Sequence, residues 1–196
     1  MSVFVPRGIR QAVHICREAL LLRAWRGESG SHKTILQQNV YFCDPVILAT
    51  VTEKFIEKLN LSSYALYLSD IGSSVGFRLA VMHPERVTAM IVQNGDAHVE
   101  VINKEFSKGL FDYWEDRSEK NAQVLLDWLL TIEGTKWHYL NGVRDPSRIS
   151  PDNWVIDQAN QDRPGNKDIQ LSILYNAKRN LDVYADWQAY FRKKQP

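Results

Sequence analysis

Tyr64-Ala65-Leu66-Tyr67-Leu68-Ser69-Asp70-Ile71-Gly72-Ser73-Ser74-Val75-Gly76-Phe77-Arg78-Leu79-Ala80 is the stretch on which the fold turns. Tyr64 to Leu68 is a short apolar run of the kind that fills a buried parallel strand, and Ser69-Asp70-Ile71-Gly72 ends it. Val75, Phe77, Leu79, Ala80 and Met82 then form an apolar helix that stops before His83-Pro84, because proline disfavours helical geometry in the residue before it. Val87 to Val92 reads as a second buried strand, ending at Gln93-Asn94-Gly95. Strand, tight turn, helix and strand within about 30 residues make a βαβ unit, with a right-handed crossover and a parallel sheet. Ligands of such sheets sit beyond the C-terminal ends of the strands, which places Asp70 and Asn94 on the functional edge.

Working outward, Val51, Phe55, Ile56 and Leu59 recur at helical spacing opposite Glu53, Lys54, Glu57 and Lys58, so an amphipathic helix precedes the first strand. Residues 1–44 show no sustained period and stay unassigned. Residues 98–191 differ in kind. Lys104 to Asp116, Glu119 to Glu133 and Asp168 to Tyr190, the last with interruptions, look helical, and loops such as Arg144-Asp145-Pro146 and Arg163-Pro164-Gly165-Asn166 join them. The expected organisation is an α/β core over 45–97, a helical lid over 98–191 and a short tail at 192–196.

Composition narrows the function classes. The 196 residues suffice for one domain or most of one; 44% are hydrophobic and 24% charged, as in an ordinary globular protein. Lys and Arg number 24 against 23 acidic residues, so the basic excess that attracts nucleic acid is missing. No apolar run approaches the roughly 20 residues of a spanning helix, and no secretory leader pattern is present, so a cytoplasmic location and no membrane partner are expected. Cys16 and Cys43 form no CxxC and read as two reduced thiols. No metal or cofactor is expected; the expected partner is a small-molecule substrate, with oligomers possible through exposed sheet edges.

The turn at Asp70 has the elements of a nucleophile elbow: a side chain at a sharp strand-to-helix reversal, Gly72 two places on, and Gly76 one turn later to let the helix pass close to the strand. Leu68 is bulkier than such turns usually carry. As nucleophile, the Asp70 carboxylate would attack carbon and form an ester, with the Ile71 backbone N–H as one oxyanion donor. A frame shifted to Ser69 would put Ile71 where a small residue belongs. The competing reading makes Asp70 a helix N-cap, a position for which Asp is well suited.

The same stretch, followed by His83-Pro84-Glu85-Arg86-Val87 and Gln93-Asn94-Gly95, resembles α/β-hydrolases of the haloalkane dehalogenase and epoxide hydrolase group. The resemblance continues more loosely through Trp137-His138-Tyr139, Gly142-Val143, Arg148 to Pro151, Arg163 to Asn166 and Ala189 to Phe191, covering about residues 46–196. It implies a partial α/β-hydrolase with Asp70 as nucleophile beneath a helical cap, and a small apolar substrate of the epoxide or haloalkane type. Many dehalogenases place a halide-binding Trp directly after the nucleophile, where this chain has Ile71. Epoxide hydrolases of the group protonate the epoxide oxygen from cap tyrosines, which singles out Tyr139 beside Trp137, ahead of Tyr113, Tyr175, Tyr184 and Tyr190. Substrate contact is therefore expected at Tyr139, Trp137 and Asn94.

The group's His-Gly oxyanion loop has no counterpart, with Gly27 to Ser31 a faint substitute, and the strands that carry the catalytic histidine are expected to be missing before Gln195-Pro196. His14, His32, His83, His98 and His138 each have a structural explanation, and none occupies the base's place. Trp114, Trp128, Trp137, Trp154 and Trp187 either line a pocket or, more often at such spacing, fill a core. Arg117 to Lys120 and Arg192 to Lys194 read as solvated charge runs. Two main outcomes follow: a hydrolase acting through an Asp70 ester and impaired as the chain stands, or a non-catalytic fragment or pseudoenzyme that acts, if at all, by interaction. A helical interaction module with the βαβ unit as scaffold ranks third.

Overall fold

In a computed structural model, residues 2–4 and 43–194 are described. Asp44 opens the first helix: in extended backbone it accepts a hydrogen bond from the Val46 N–H at 2.8 Å, and Pro45 occupies the first turn, where its missing N–H costs nothing. This helix, α1 (Pro45–Lys58), turns Ala49, Thr52 and Ile56 inward. Leu59 and Asn60 end it, Asn60 at φ 53°. The chain then enters β2 (Tyr64–Ser69), turns at Asp70 into α2 (Gly72–Met82), and returns in β3 (Val87–Gln93). β2 and β3 are parallel, with Leu66 beside Met90 and Ser69 beside Gln93, and the register slips between Tyr64 and Ala65. The βαβ unit expected from the sequence is present. β1 (Ser2–Phe4), in the segment left unassigned, pairs antiparallel with β2, giving the order β1-β2-β3.

Tyr64, Leu66 and Leu68 alternate with less buried neighbours along β2 and face the helices. They meet Ala49 and Ile56 of α1, Val75, Leu79 and Ala80 of α2, and Tyr184, Trp187 and Tyr190 of α8 (Tyr184–Lys194) in one core. Phe77 ties α2 to α8, its ring 5.2 Å from Trp187 and 5.1 Å from Phe191.

β3 departs from the expectation of a second buried strand. Val87 is buried and Met90 half-buried, but Thr88, Ala89, Ile91, Val92 and Gln93 are exposed, Ile91 to 60%. The cause is position: β3 is an edge of the described sheet, so an apolar composition that reads as interior meets solvent.

The chain divides into two units. The sheet unit runs to Ile102 and resumes at Asn176; the other spans Asn103–Tyr175. The sequence reading carried the helical block to residue 191, but Asn176 onward groups with the sheet, because α8 buries Trp187 and bonds back through Tyr184 to Asp96 at 2.7 Å and through Gln188 to the Ala97 carbonyl at 2.9 Å. Arg192 to Lys194, read as a tail, complete α8.

The second unit holds α3 (Lys108–Glu115), α4 (Glu119–Trp128), α5 (Ile132–Leu140), α6 (Asp152–Gln161) and most of α7 (Asn166–Asn176), around Tyr113, Leu125, Leu130 and Leu171. The run expected as one helix over 119–133 breaks after Trp128. Thr131 caps α5 by accepting from the Gly134 N–H at 3.1 Å, and a Cβ at Gly134 would stand 2.0 Å from the Trp128 carbonyl oxygen. The run over 168–190, expected with interruptions, is broken by a 3-10 segment at Ala177–Val183. Among the described residues, no helix is long and apolar enough to cross a membrane.

Candidate active site

The reversal between β2 and α2 passes through Asp70, whose φ is 50°. In that left-handed region a Cβ crowds the following carbonyl, at a cost of about 1–2 kcal/mol, and Asn and Asp are the side chains that enter it most readily after glycine. Hydrogen bonds on both sides hold the turn. The Asp70 N–H donates to the Gln93 carbonyl at 3.1 Å, the Ser73 N–H to the Asp70 carbonyl at 2.9 Å, and the Ser74 N–H and hydroxyl to the Ile71 carbonyl at 3.1 and 2.8 Å.

The N-cap position falls on Ile71, already helical at φ −55°, with no side-chain cap. An aspartate acting as cap would sit in extended backbone and accept from the first turn. Asp70 does neither: it is exposed, and its carboxylate makes no hydrogen bond among the described residues. Asp70 immediately precedes Ile71 at the start of α2, the end of a helix whose dipole favours negative charge.

Close packing sets this geometry. A Cβ on Gly76 would lie 2.1 Å from Leu68 Cδ2, so glycine lets α2 ride directly over the bulky Leu68 of β2. Behind the turn, Ser73 is buried with its hydroxyl unpartnered, and a Cβ on Gly95 would lie 2.2 Å from that oxygen. Arg78, which the sequence reading passed over, is buried within α2. It donates to the Ser74 carbonyl at 3.0 Å and to Asn180 Oδ1 at 2.8 Å, with its guanidinium 5.1 Å from the Trp187 ring centre. The available signal was a lone charge inside the apolar run Val75 to Ala80.

Asp70, Ile71 and Asn94 come together: Ser69 and Gln93 are register partners, so the residues that follow them share one edge of the sheet. Asn94 has φ 53° and is exposed. Tyr139 and Trp137 lie on α5 in the other unit. The Tyr139 hydroxyl bonds Asp157 Oδ2 at 2.5 Å, while Trp137 is exposed and stacks on Phe106 with ring centres 5.3 Å apart. Of the competing tyrosines, Tyr113 is buried in the second core, Tyr175 lies under the Arg117 guanidinium, and the Tyr190 hydroxyl is buried. Tyr184 donates to Asp96, and burial together with that bond pushes its phenol well above the usual range.

The histidines divide similarly. His83 lies at the far end of α2 from Asp70, about 16 Å along the helix, and bonds Glu53 of α1 at 2.5 Å. His98 is exposed at a cavity beside β3, and the His138 ring is 5.4 Å from that of Trp137. His14, His32 and the segment Gly27 to Ser31 lie outside the described residues, as does Cys16. Of the tryptophans, Trp187 is core, and Trp128 and Trp137 share an exposed aromatic cluster with Phe106.

The chain is similar to a protein of Saccharomyces cerevisiae named an uncharacterized hydrolase. Identity is 31% over 139 residues, taking in 70% of this chain and 48% of that protein, so the chain spans about half the length of the curated relative it matches. No family model matches the chain, and no solved structure does.

Proposed function

We propose that this chain carries the nucleophile of a hydrolase that acts on small apolar electrophiles of the epoxide or haloalkane type. The observation that carries the reading is Asp70: an exposed, unbonded carboxylate on a left-handed residue at the strand-to-helix turn. The yeast relative's name supports hydrolysis in general.

In the first step, a carboxylate oxygen of Asp70 attacks the electrophilic carbon. A C–O ester bond forms as the epoxide C–O or carbon–halogen bond breaks, and the electron pair leaves on oxygen or halide. In the second, water adds to the ester carbonyl, the Ile71 N–H steadies the oxyanion, and the acyl–oxygen bond cleaves. The alcohol departs with one of the water's protons, the other passes to the base that activates the water, and the Asp70 carboxylate returns. Asn94, which shares the sheet edge with Asp70, is a proposed substrate contact, and an opened epoxide oxygen takes its proton from water. That second step needs a base, and none of His83, His98 and His138 bonds Asp70 among the described residues, so the ester should accumulate.

The test is intact-protein mass spectrometry of wild type and Asp70→Asn after incubation with a panel of epoxides and haloalkanes. The expected result is a persistent adduct, mapped to Asp70, in wild type alone. No adduct on a folded wild-type chain would overturn the proposal in favour of a non-catalytic interaction protein.

A further inference from the structure

The sequence contains two Asn-Gly pairs, Asn94-Gly95 and Asn141-Gly142. Asparagine is thermally labile, and most so before glycine, whose lack of a side chain lets its backbone nitrogen reach the asparagine carboxamide. The two pairs sit in different backbones. Asn141 ends α5 at φ −65° and ψ 127°, Gly142 has φ 76°, and the Val143 N–H donates to the Leu140 carbonyl at 3.2 Å. These are the torsions and the closing bond of a type II turn, so the turn is made by its own four residues. Its central peptide can rotate between type II and type I geometry while Leu140 and Val143 stay in place, since Gly142 accepts φ of either sign. Asn141 and Gly142 are exposed, the Asn141 carboxamide makes no hydrogen bond among the described residues, and a Cβ on Gly142 would meet nothing within 4 Å.

Asn94-Gly95 is anchored on both sides. The Gln93 carbonyl accepts from the Asp70 N–H, the Asp96 carboxylate from the Tyr184 hydroxyl, and the Ala97 carbonyl from Gln188. Gly95 itself is packed: a Cβ there would lie 2.2 Å from Ser73 Oγ and 2.9 Å from Val92 Cγ1. Rotating the peptide between Asn94 and Gly95 would drive Gly95 into those side chains.

We propose that Asn141 is a deamidation site of this chain and that packing spares Asn94. The proposal rests neither on Asp70 nor on the hydrolase reading. The Gly142 backbone nitrogen, having lost its proton to hydroxide, attacks Asn141 Cγ. A C–N bond forms, the carboxamide C–N bond breaks, and ammonia leaves with a proton taken from water, giving a succinimide. Water then opens the ring at either carbonyl, so that asparagine and water become aspartate or isoaspartate and ammonia. The new carboxylate stands at the C-terminal end of α5, the negative end of its dipole, and isoaspartate lengthens the main chain of the turn.

Peptide mapping by mass spectrometry tests the proposal, on the full 196-residue chain held in warm, mildly alkaline buffer with and without urea. In the folded chain, deamidation is expected to be roughly ten times faster at Asn141 than at Asn94, since the restraint on Gly95 adds to the barrier there. In urea the two rates should converge, because the neighbours that hold Gly95 are gone. Gly142→Ala, which crowds the attacking nitrogen and disfavours positive φ, is expected to slow the reaction at Asn141 and leave Asn94 as in wild type. Equal rates in the folded chain, or a faster Asn94, would overturn the inference. So would a rate ratio that urea leaves unchanged, which traces the difference to local sequence, or a Gly142→Ala chain that deamidates at Asn141 like wild type.

Discussion

At Asp70 the backbone and the side chain make opposite demands. The turn would be relaxed by glycine, and the proposed chemistry requires a carboxylate. The left-handed φ of 50° can be read out through stability alone. Asp70→Gly is expected to be more stable than Asp70→Ala by about 1 kcal/mol, since only the latter retains a Cβ in a conformation that L-residues avoid. Equal urea midpoints for the two would show that the turn is not left-handed in solution. The sharp strand-to-helix turn was legible before any coordinates, because an apolar run ends at Ser69-Asp70 and small residues follow at Gly72 and Gly76. Whether Asp70 caps α2 was not legible: Asp suits a cap, and only the torsion angle and the absent cap bond show that it does not serve as one.

Elements carry the consequences of single close approaches. α2 lies over β2 with Gly76 against Leu68, so adding one methyl should cost about 1–3 kcal/mol as overpacking. Leu68→Ala alone is expected to cost about 2–5 kcal/mol as a cavity. Because each change relieves the other, the double variant Gly76→Ala/Leu68→Ala should be less destabilised than the sum of the singles, as read from urea unfolding. Strict additivity would mean that the two residues do not touch. The second unit shows why helix boundaries were harder to read. Ala122, Leu125, Leu126, Leu129 and Leu130 continue one apolar pattern through 119–133, yet the helix ends at Trp128 because Thr131 and Gly134 begin another. α6 escaped notice because its one fully buried side chain is polar: Gln158, which accepts from the Thr135 hydroxyl at 2.7 Å.

For the whole molecule, the core of the sheet unit couples folding to alkaline pH. Cys43 is buried, and burial pushes its thiol from 9.0 up to about 11. The Tyr184 phenol is likewise held above its usual 10.0 by burial and by Asp96. Both groups keep their protons in the folded chain at pH values where the unfolded chain has released them, so stability is full below pH 9 and declines as pH rises to about 11 and beyond. Thermal melts across this range should show the decline, and Cys43→Ala should flatten its first part; a melting temperature independent of pH above 9 would mean that neither group is held as described.

The sequence by itself determined the local structure around the site. An apolar run, a small-residue turn, an amphipathic period and a proline stop require only near neighbours to take effect, and they placed β2, the turn at Asp70, α2 and β3 in order. Tertiary structure alone decided what each element meets. Val87-Thr88-Ala89-Met90-Ile91-Val92 has the composition of an interior strand, but burial depends on what lies beside it, and β3 stands at an edge of the described sheet. The same holds for Trp187, buried in one core, and Trp137, exposed in the other unit. It holds for Arg78 too, whose charge is accommodated only because Asn180, more than a hundred residues away in the chain, folds back to accept its hydrogen bond. Local patterns record what a segment can form, while burial and partnership belong to residues distant in sequence, which no local pattern contains.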